Sequence, residues 1–181
     1  MSSGRRLCVF CGSSMGTDPA YAAAAHDLGA AIAARDLGLV FGGTGAGLMG
    51  AVADGALEAG GEVIGVMPSF LVDGAGPHPD VEIRVVESLA DRKLLMADLA
   101  AGFVALPGGL GTLDELAEMV TWTQLGVHDK PLVLLDVLGY WAKLEELLDS
   151  MVAAGFLRPE GRALLQVETD PAAAVAAVAP K

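Results

Sequence analysis

The feature that most limits what this chain can become is a regular alternation of two kinds of segment. Short, almost continuously apolar runs (RLCVFC, GLVFGG, EVIGVMP, EIRVV, GFVALP, PLVLLD) are separated by longer stretches rich in Ala and Leu, from PAYAAAAHDLGAAIAARD to GYWAKLEELLDSMVAAG. A strand that meets water on one side alternates apolar and polar residues, whereas a strand without that alternation is buried on both faces. A parallel sheet covered by helices on both sides buries strands in this way. The order therefore predicts a Rossmann-like α/β fold, a single domain over residues 1–181. DGAGPHPD reads as a Gly/Pro loop, and the tail GRALLQVETDPAAAVAAV predicts a short strand and a last helix.

A chain of 181 residues can close a substantial core without disulfides or metals. Hydrophobic residues make up 53% of it, yet no apolar run approaches the ~18 residues of a membrane-crossing helix, so no membrane partner is expected. The start, MSSGRRLCVFCGSS, sets a basic pair before an apolar stretch too short for a signal peptide, and cytoplasmic residence is the expectation. Net charge is −12, from 11 Lys+Arg against 23 Asp+Glu, which opposes broad binding to nucleic acid or anionic membranes but leaves room for a small anion held locally. The cysteines of CVFC fall on a strand, where positions three apart face opposite sides with Cα atoms about 10 Å apart, beyond the roughly 7 Å reach of a disulfide.

In an open α/β sheet, ligands bind beyond the carboxyl ends of the strands, near the point where strand order reverses. Unusual segments gather at such ends: Gly12-Ser13-Ser14, GGTGAGLMG (42–50), Met67-Pro68 and PGGLGTLDE (107–115). Glycine runs that open helices let backbone N–H groups approach a ligand, and the helix terminus adds partial positive charge suited to phosphate. Residues 45–50 satisfy GxGxxG, but no acid stands at the end of the next strand, and no Gly-Lys-Ser/Thr follows. Close helix–sheet packing is the other explanation for these glycines. Thr112 to Glu115 also has the spacing of a capping box, with Thr112 as N-cap and Glu115 reaching back. Capping does not require glycines at 108, 109 and 111, so a functional carboxylate stands beside it.

Arg92 shares a helical face with Leu89, Leu95, Met96 and Leu99, and Ser88 is the expected N-cap. An arginine on an apolar stripe either snorkels to solvent or enters a cleft to meet an anion. Lys93 stands beside it and could serve the same anion or remain solvated. His26, His78 and His128 do not assemble a site, and nothing has zinc-ligand spacing, so no metal is expected. Ser13 and Ser14 lack a G-x-S-x-G elbow and fit better as anion ligands or a helix cap.

These residues resemble the LOG ("Lonely guy") proteins, cytokinin riboside 5′-monophosphate phosphoribohydrolases formerly described as possible lysine decarboxylases. The likeness runs through VFCGSS, GGTGAGLMGAVADGAL, VIGVMP, DRKLLM, PGGLGTLDEL and TWTQLGVHDKP to GYWAKLEELLDSMVAAGFL. It implies hydrolysis of the N-glycosidic bond of an adenosine 5′-monophosphate, typically N6-modified, without a cofactor, by a protein that is at least a homodimer. Carried over, the R-K pair becomes Arg92 and Lys93, and the motif glutamate becomes Glu115. Arg92 and Glu115 would be catalytic. Gly12, Ser13, Gly43, Thr44, Gly45, Met67, Lys93, Met96, Gly108, Gly109, Gly111, Thr112 and Thr121 would bind the nucleotide. Trp122 and Leu125 suit an interface or the core equally.

The chain departs from the family at Phe41-Gly42-Gly43-Thr44, where a tyrosine and three glycines are usual, and at Leu89-Ala90-Asp91, where Met-His-Glu is usual. These changes touch base selection more than bond cleavage. A non-catalytic nucleotide or molybdenum-cofactor carrier, which shares the P-G-G-x-G-T turn, is the alternative. No lysine lies in a pyridoxal phosphate setting.

Overall fold

The computed structural model describes residues 6–180, so Arg5 of the basic pair lies outside the described residues. The elements run β1 (Arg6–Phe10), α1 (Pro19–Ala33), β2 (Gly38–Phe41), α2 (Gly47–Glu58), β3 (Val63–Pro68), α3 (Ser69–Ala75), β4 (Glu82–Val86), α4 (Leu89–Leu99), β5 (Gly102–Ala105), α5 (Leu110–Gln124), β6 (Leu132–Leu135), α6 (Ala142–Ala153), α7 (Pro159–Arg162), β7 (Leu165–Glu168) and α8 (Pro171–Val178). All strands join one sheet in the order β4-β3-β2-β1-β5-β6-β7, and every pairing is parallel. The order reverses between β1 and β5, so the chain leaves β1 toward one edge and returns beside it after β4.

Burial explains why the runs lack polar positions. Leu7, Val9 and Cys11 face one core with Leu39, Phe41, Val104 and Val133, packed under α1, α2 and α8. Cys8 and Phe10 face the other with Val40, Val66, Phe103 and Leu134, under α4 and α5. Phe10 and Phe103 stack with centroids 5.7 Å apart, a geometry worth about 0.5–1.5 kcal/mol beyond area burial. The edge strands β4 and β7 are only partly buried and carry the charges that the central strands lack.

The cysteines are free, and each is buried in a different core, as strand alternation requires. Burial pushes both thiols up, so neither is a ready thiolate. Two local expectations need correction. The stretch DGAGPHPD, expected as a Gly/Pro loop, is a loop only from Gly76 on, because residues 73–75 end the short helix α3. Helix α5 starts at Leu110 with Gly109 as its N-cap and no side-chain cap bond. The extended backbone at Gly109 lets the helix begin three residues before Thr112 would have capped it. Among the described residues no helix is long and apolar enough to cross a membrane.

Candidate active site

Parallel topology brings three turns together where the strand order reverses. The Gly12 N–H donates to the Pro107 carbonyl at 3.0 Å, and the Gly12 carbonyl accepts from Met49 N–H at 3.3 Å, so one residue ties the turns after β1, β2 and β5. Gly47 has φ of +63°, and a Cβ there would stand 2.2 Å from the Ser13 carbonyl carbon, which is why α2 can start against the first turn only with glycine. A Cβ on Gly108 would stand 2.1 Å from Thr112 Oγ1. Thr112 is itself buried, folded over Gly108 from the first turn of α5. The Tyr140 hydroxyl donates to the Gly108 carbonyl from the loop after β6. A cleft of about 300 Å³ lies here, lined by Gly12, Ser13, Tyr21, Gly108, Gly109 and Tyr140.

Gly109 and Gly111 differ from these. A Cβ at either would meet no atom within 4 Å, and neither has a positive φ. The protein's own packing gives no reason for glycine at those positions. The first amides of α5 have no intrahelical partner, and the helix start lacks a side-chain cap.

Arg92 does not snorkel. Ser88 caps α4 by accepting from Asp91 N–H at 3.1 Å, which sets Arg92 one turn inside, and its side chain is 12% exposed. Its Nε donates to the Val66 carbonyl at 3.0 Å. The guanidinium lies along Gly42, where a Cβ would stand 2.2 Å from Nη2. Its Nη1 is 3.2 Å from Glu115 Oε1, and the Glu115 side chain is only 5% exposed. Glu115 therefore closes no capping box. Because α5 begins early, this residue falls in the second turn and faces inward across the rim to Arg92.

Burial raises the Glu115 carboxyl from its ordinary value to about 7, opposed by Arg92, reinforced by Asp114 and opposed again by Lys93. A carboxyl poised there can hold or release a proton near neutrality. Lys93 pairs with Asp114 at 3.0 Å and with Glu118 at 2.5 Å. The bond to Glu118 holds its ammonium above the usual range, against burial and with help from Asp114. Adjacent residues of α4 thus meet adjacent residues of α5 in two parallel ion pairs, Arg92–Glu115 inside and Lys93–Asp114 outside. The lysine's charge is already engaged by two carboxylates rather than left for an anion.

The rim gathers Gly12, Ser13, Gly43, Thr44, Gly45, Gly108, Gly109, Gly111 and Thr112. The Gly45 amide donates to Gly76 O at 3.1 Å, so the protein itself takes that donor. Met67 and Met96 are each 1% exposed and belong to the interior beneath the rim. Thr121 does not join the rim in this chain. It lies eleven residues along α5 from the helix start, about 16 Å at the usual rise, donates to Ala117 O at 2.7 Å and lines an apolar groove with Leu113, Leu144 and Leu148.

Sequence reasoning missed Tyr140 and His78, which hold the two glycine turns, and Glu118, the second partner of Lys93. No local signal marks them, because each acts on a segment distant in sequence. Trp122 packs partly buried against the α4/α5 core, and Leu125 is 73% exposed. Among the described residues no group of three or more His, Cys, Asp or Glu could hold a metal ion.

Comparison with known proteins bears on this geometry. A family model described as "Possible lysine decarboxylase" matches residues 49–178. The chain is 45% identical over 162 residues to the Arabidopsis thaliana protein named cytokinin riboside 5′-monophosphate phosphoribohydrolase LOG3, covering 89% of this chain and 75% of that one. It is 48% identical over 161 residues to a probable enzyme of the same name, LOGL9, from Oryza sativa subsp. japonica, covering 88% and 71%. Among solved structures, the molybdenum cofactor carrier protein of Chlamydomonas reinhardtii superposes with a TM-score of 0.74 at 28% identity, over 96% of this chain and 95% of that one. The molybdenum cofactor binding protein of Rippkaea orientalis, at 22% identity and a TM-score of 0.69 over 94% and 93%, shares the fold. The family model covers most of the chain and such relatives are matched over more than two thirds of their length, so the chain belongs to the family described as possible lysine decarboxylase, in the branch that holds the LOG proteins.

Proposed function

We propose that the protein hydrolyses the N-glycosidic bond of an adenosine 5′-monophosphate, plain or N6-modified, to the free base and ribose 5-phosphate. The observation that carries this reading is the buried Arg92–Glu115 pair beside the glycine turn at 108–111, in a chain whose relatives at 43–48% identity are named phosphoribohydrolases.

The chemistry follows from the charges. As the base leaves C1′, positive charge builds on the ribose, as in glycoside cleavage through an oxocarbenium-like state. Ionised Glu115 beside the sugar stabilises that charge and takes a proton from the water that attacks C1′. The C1′–N bond breaks, a C1′–O bond forms, the base leaves with a proton drawn from solvent, and Glu115 returns the water's proton to solvent to complete the cycle. Arg92 fixes the nucleotide and keeps Glu115 ionised in part, while burial opposes ionisation.

In this reading the phosphate lies on the amides of Gly109, Leu110, Gly111 and Thr112, with Gly12, Ser13 and the turn at 43–45 around it. Lys93 contributes by clamping α4 to α5, and Met67 and Met96 shape the floor. Thr121, remote from the rim in one chain, would meet nucleotide only across an interface. Here α6 has no fully buried residue, and Leu147, Met151 and Phe156 are exposed beside the groove that Thr121 lines, which favours a second copy covering this face. Free, buried cysteines suit a reducing cytoplasm.

The carrier alternative draws on the likeness at 28% identity; the higher identity to enzymes and the Arg92–Glu115 pair favour hydrolysis. Incubating the pure protein with AMP and N6-isopentenyl-AMP separates the two. Free base and ribose 5-phosphate should appear in equal amounts, whereas tight binding without turnover would establish the carrier. Light scattering should show a dimer.

A further inference from the structure

The turn at 43–45 poses a problem of order. Two of its three residues are glycines, Gly43 has φ of +92°, and such a segment loses much conformational freedom when fixed. What fixes it is the loop between α3 and β4. The Gly76 carbonyl accepts from Gly45 N–H at 3.1 Å and from Thr44 Oγ1 at 3.1 Å, and His78 N–H donates to the Gly43 carbonyl at 2.9 Å. Thr44 and Pro77 pair as an isolated antiparallel bridge. The loop therefore lies along the turn like an added strand.

His78 anchors that loop. It is only 6% exposed, unusual for a residue inside a Gly/Pro segment. Its Nδ1 accepts from Asp80 N–H at 3.3 Å, which leaves the proton on Nε2, and Nε2 donates to Asp54 Oδ1 of α2 at 3.0 Å. One residue thus connects the turn, through its backbone N–H, with the helix the turn opens and the approach to β4, through its imidazole. The turn it holds follows Gly42, the shelf on which the Arg92 guanidinium lies, and packs against Met67.

We propose that His78 is a positioning residue for the nucleotide site: its imidazole, bonded to Asp54, fixes the backbone N–H that meets the Gly43 carbonyl and so holds the Gly43–Gly45 turn, and with it the Arg92 shelf, in binding geometry. The proposal rests on the nucleotide hydrolase reading above and names a device within that site. It touches no reacting atom and acts through the turn.

The test compares His78→Ala, His78→Gln and Asp54→Ala, with KM and kcat for AMP, AMP affinity by calorimetry, and Tm for each. His78→Ala should raise KM and Kd about tenfold, the scale of one lost hydrogen bond to a charged group, with kcat changed less than about threefold. Gln can donate to Asp54 from its amide and should return KM to within about threefold of wild type. Asp54→Ala removes the partner from a surface position and should raise KM in the same direction, which keeps the test open should His78→Ala fail to fold. A lower Tm with KM and Kd unchanged, or a Gln variant as impaired as Ala, would overturn the proposal while leaving hydrolysis intact. A wild-type protein that neither binds nor cleaves AMP would remove both.

Discussion

Residues 42–47 and 108–111 are both glycine-rich turns that follow a central strand and open a helix at the same rim, yet their glycines answer to different demands. In the first, Gly42 makes room for Arg92, Gly43 and Gly47 have positive φ, and Gly47 also lies against Ser13. The Gly45 amide is spent on the neighbouring loop. In the second, Gly108 makes room for Thr112, but a side chain at Gly109 or Gly111 would touch nothing. In the first turn the fold requires glycine at 42, 43 and 47. The second is glycine-rich beyond what the fold requires, an excess that the proposed nucleotide site accounts for.

Substitutions can break this contrast. Gly47→Ala puts a Cβ into the Ser13 backbone at a positive φ and should cost about 3 kcal/mol or more, read as a lower urea midpoint. Glu115→Gln should keep the fold, since no cap depends on it, while turnover falls roughly a hundredfold or more. Unchanged turnover would return Glu115 to a packing role.

The Glu115 carboxyl also ties stability to pH. It rises from about 4.5 to about 7 on folding, so between those values the folded chain holds a proton that the unfolded chain has released. Its contribution to stability is present below pH 4.5, is lost as pH climbs to about 7 and stays lost above. Measured by urea unfolding at pH 5 and pH 8, wild type should lose roughly 2 to 3 kcal/mol relative to Glu115→Gln. Over the same range kcat/KM should rise with pH through about 7, because the ionised form is the working one. A flat difference in stability would mean that Arg92 holds the carboxylate ionised throughout.

The smallest effect sharpens the comparison most. Gly111→Ala should leave stability unchanged or raise it by up to about 1 kcal/mol, while AMP binding weakens about tenfold. A destabilised Gly111→Ala with normal affinity would make the two turns alike.

The strands and their parallel order were legible because burial on both faces removes polar positions, and this pattern survives in the string itself. The rim was legible for the same reason, since strand ends carry the glycines. The helix start at Gly109 was not, because Thr112 and Glu115 have capping-box spacing and only the extended backbone before them moves the start three residues earlier. Arg92 stood between solvent and cleft in the sequence, because Val66 in β3 and Gly42 just past β2, which receive it, lie far along the chain. Lys93 read as a free cation because its partners lie on another helix, 21 and more residues away. His78 gave no signal at all, since its imidazole spans a loop and a helix 24 residues apart.

The most direct measurement is a crystal of the Glu115→Gln protein soaked with AMP. The phosphate should rest on the amides of Gly109 to Thr112, with C1′ of the ribose within reach of residue 115 and Arg92. A nucleotide bound elsewhere, with those amides left to solvent, would contradict the account.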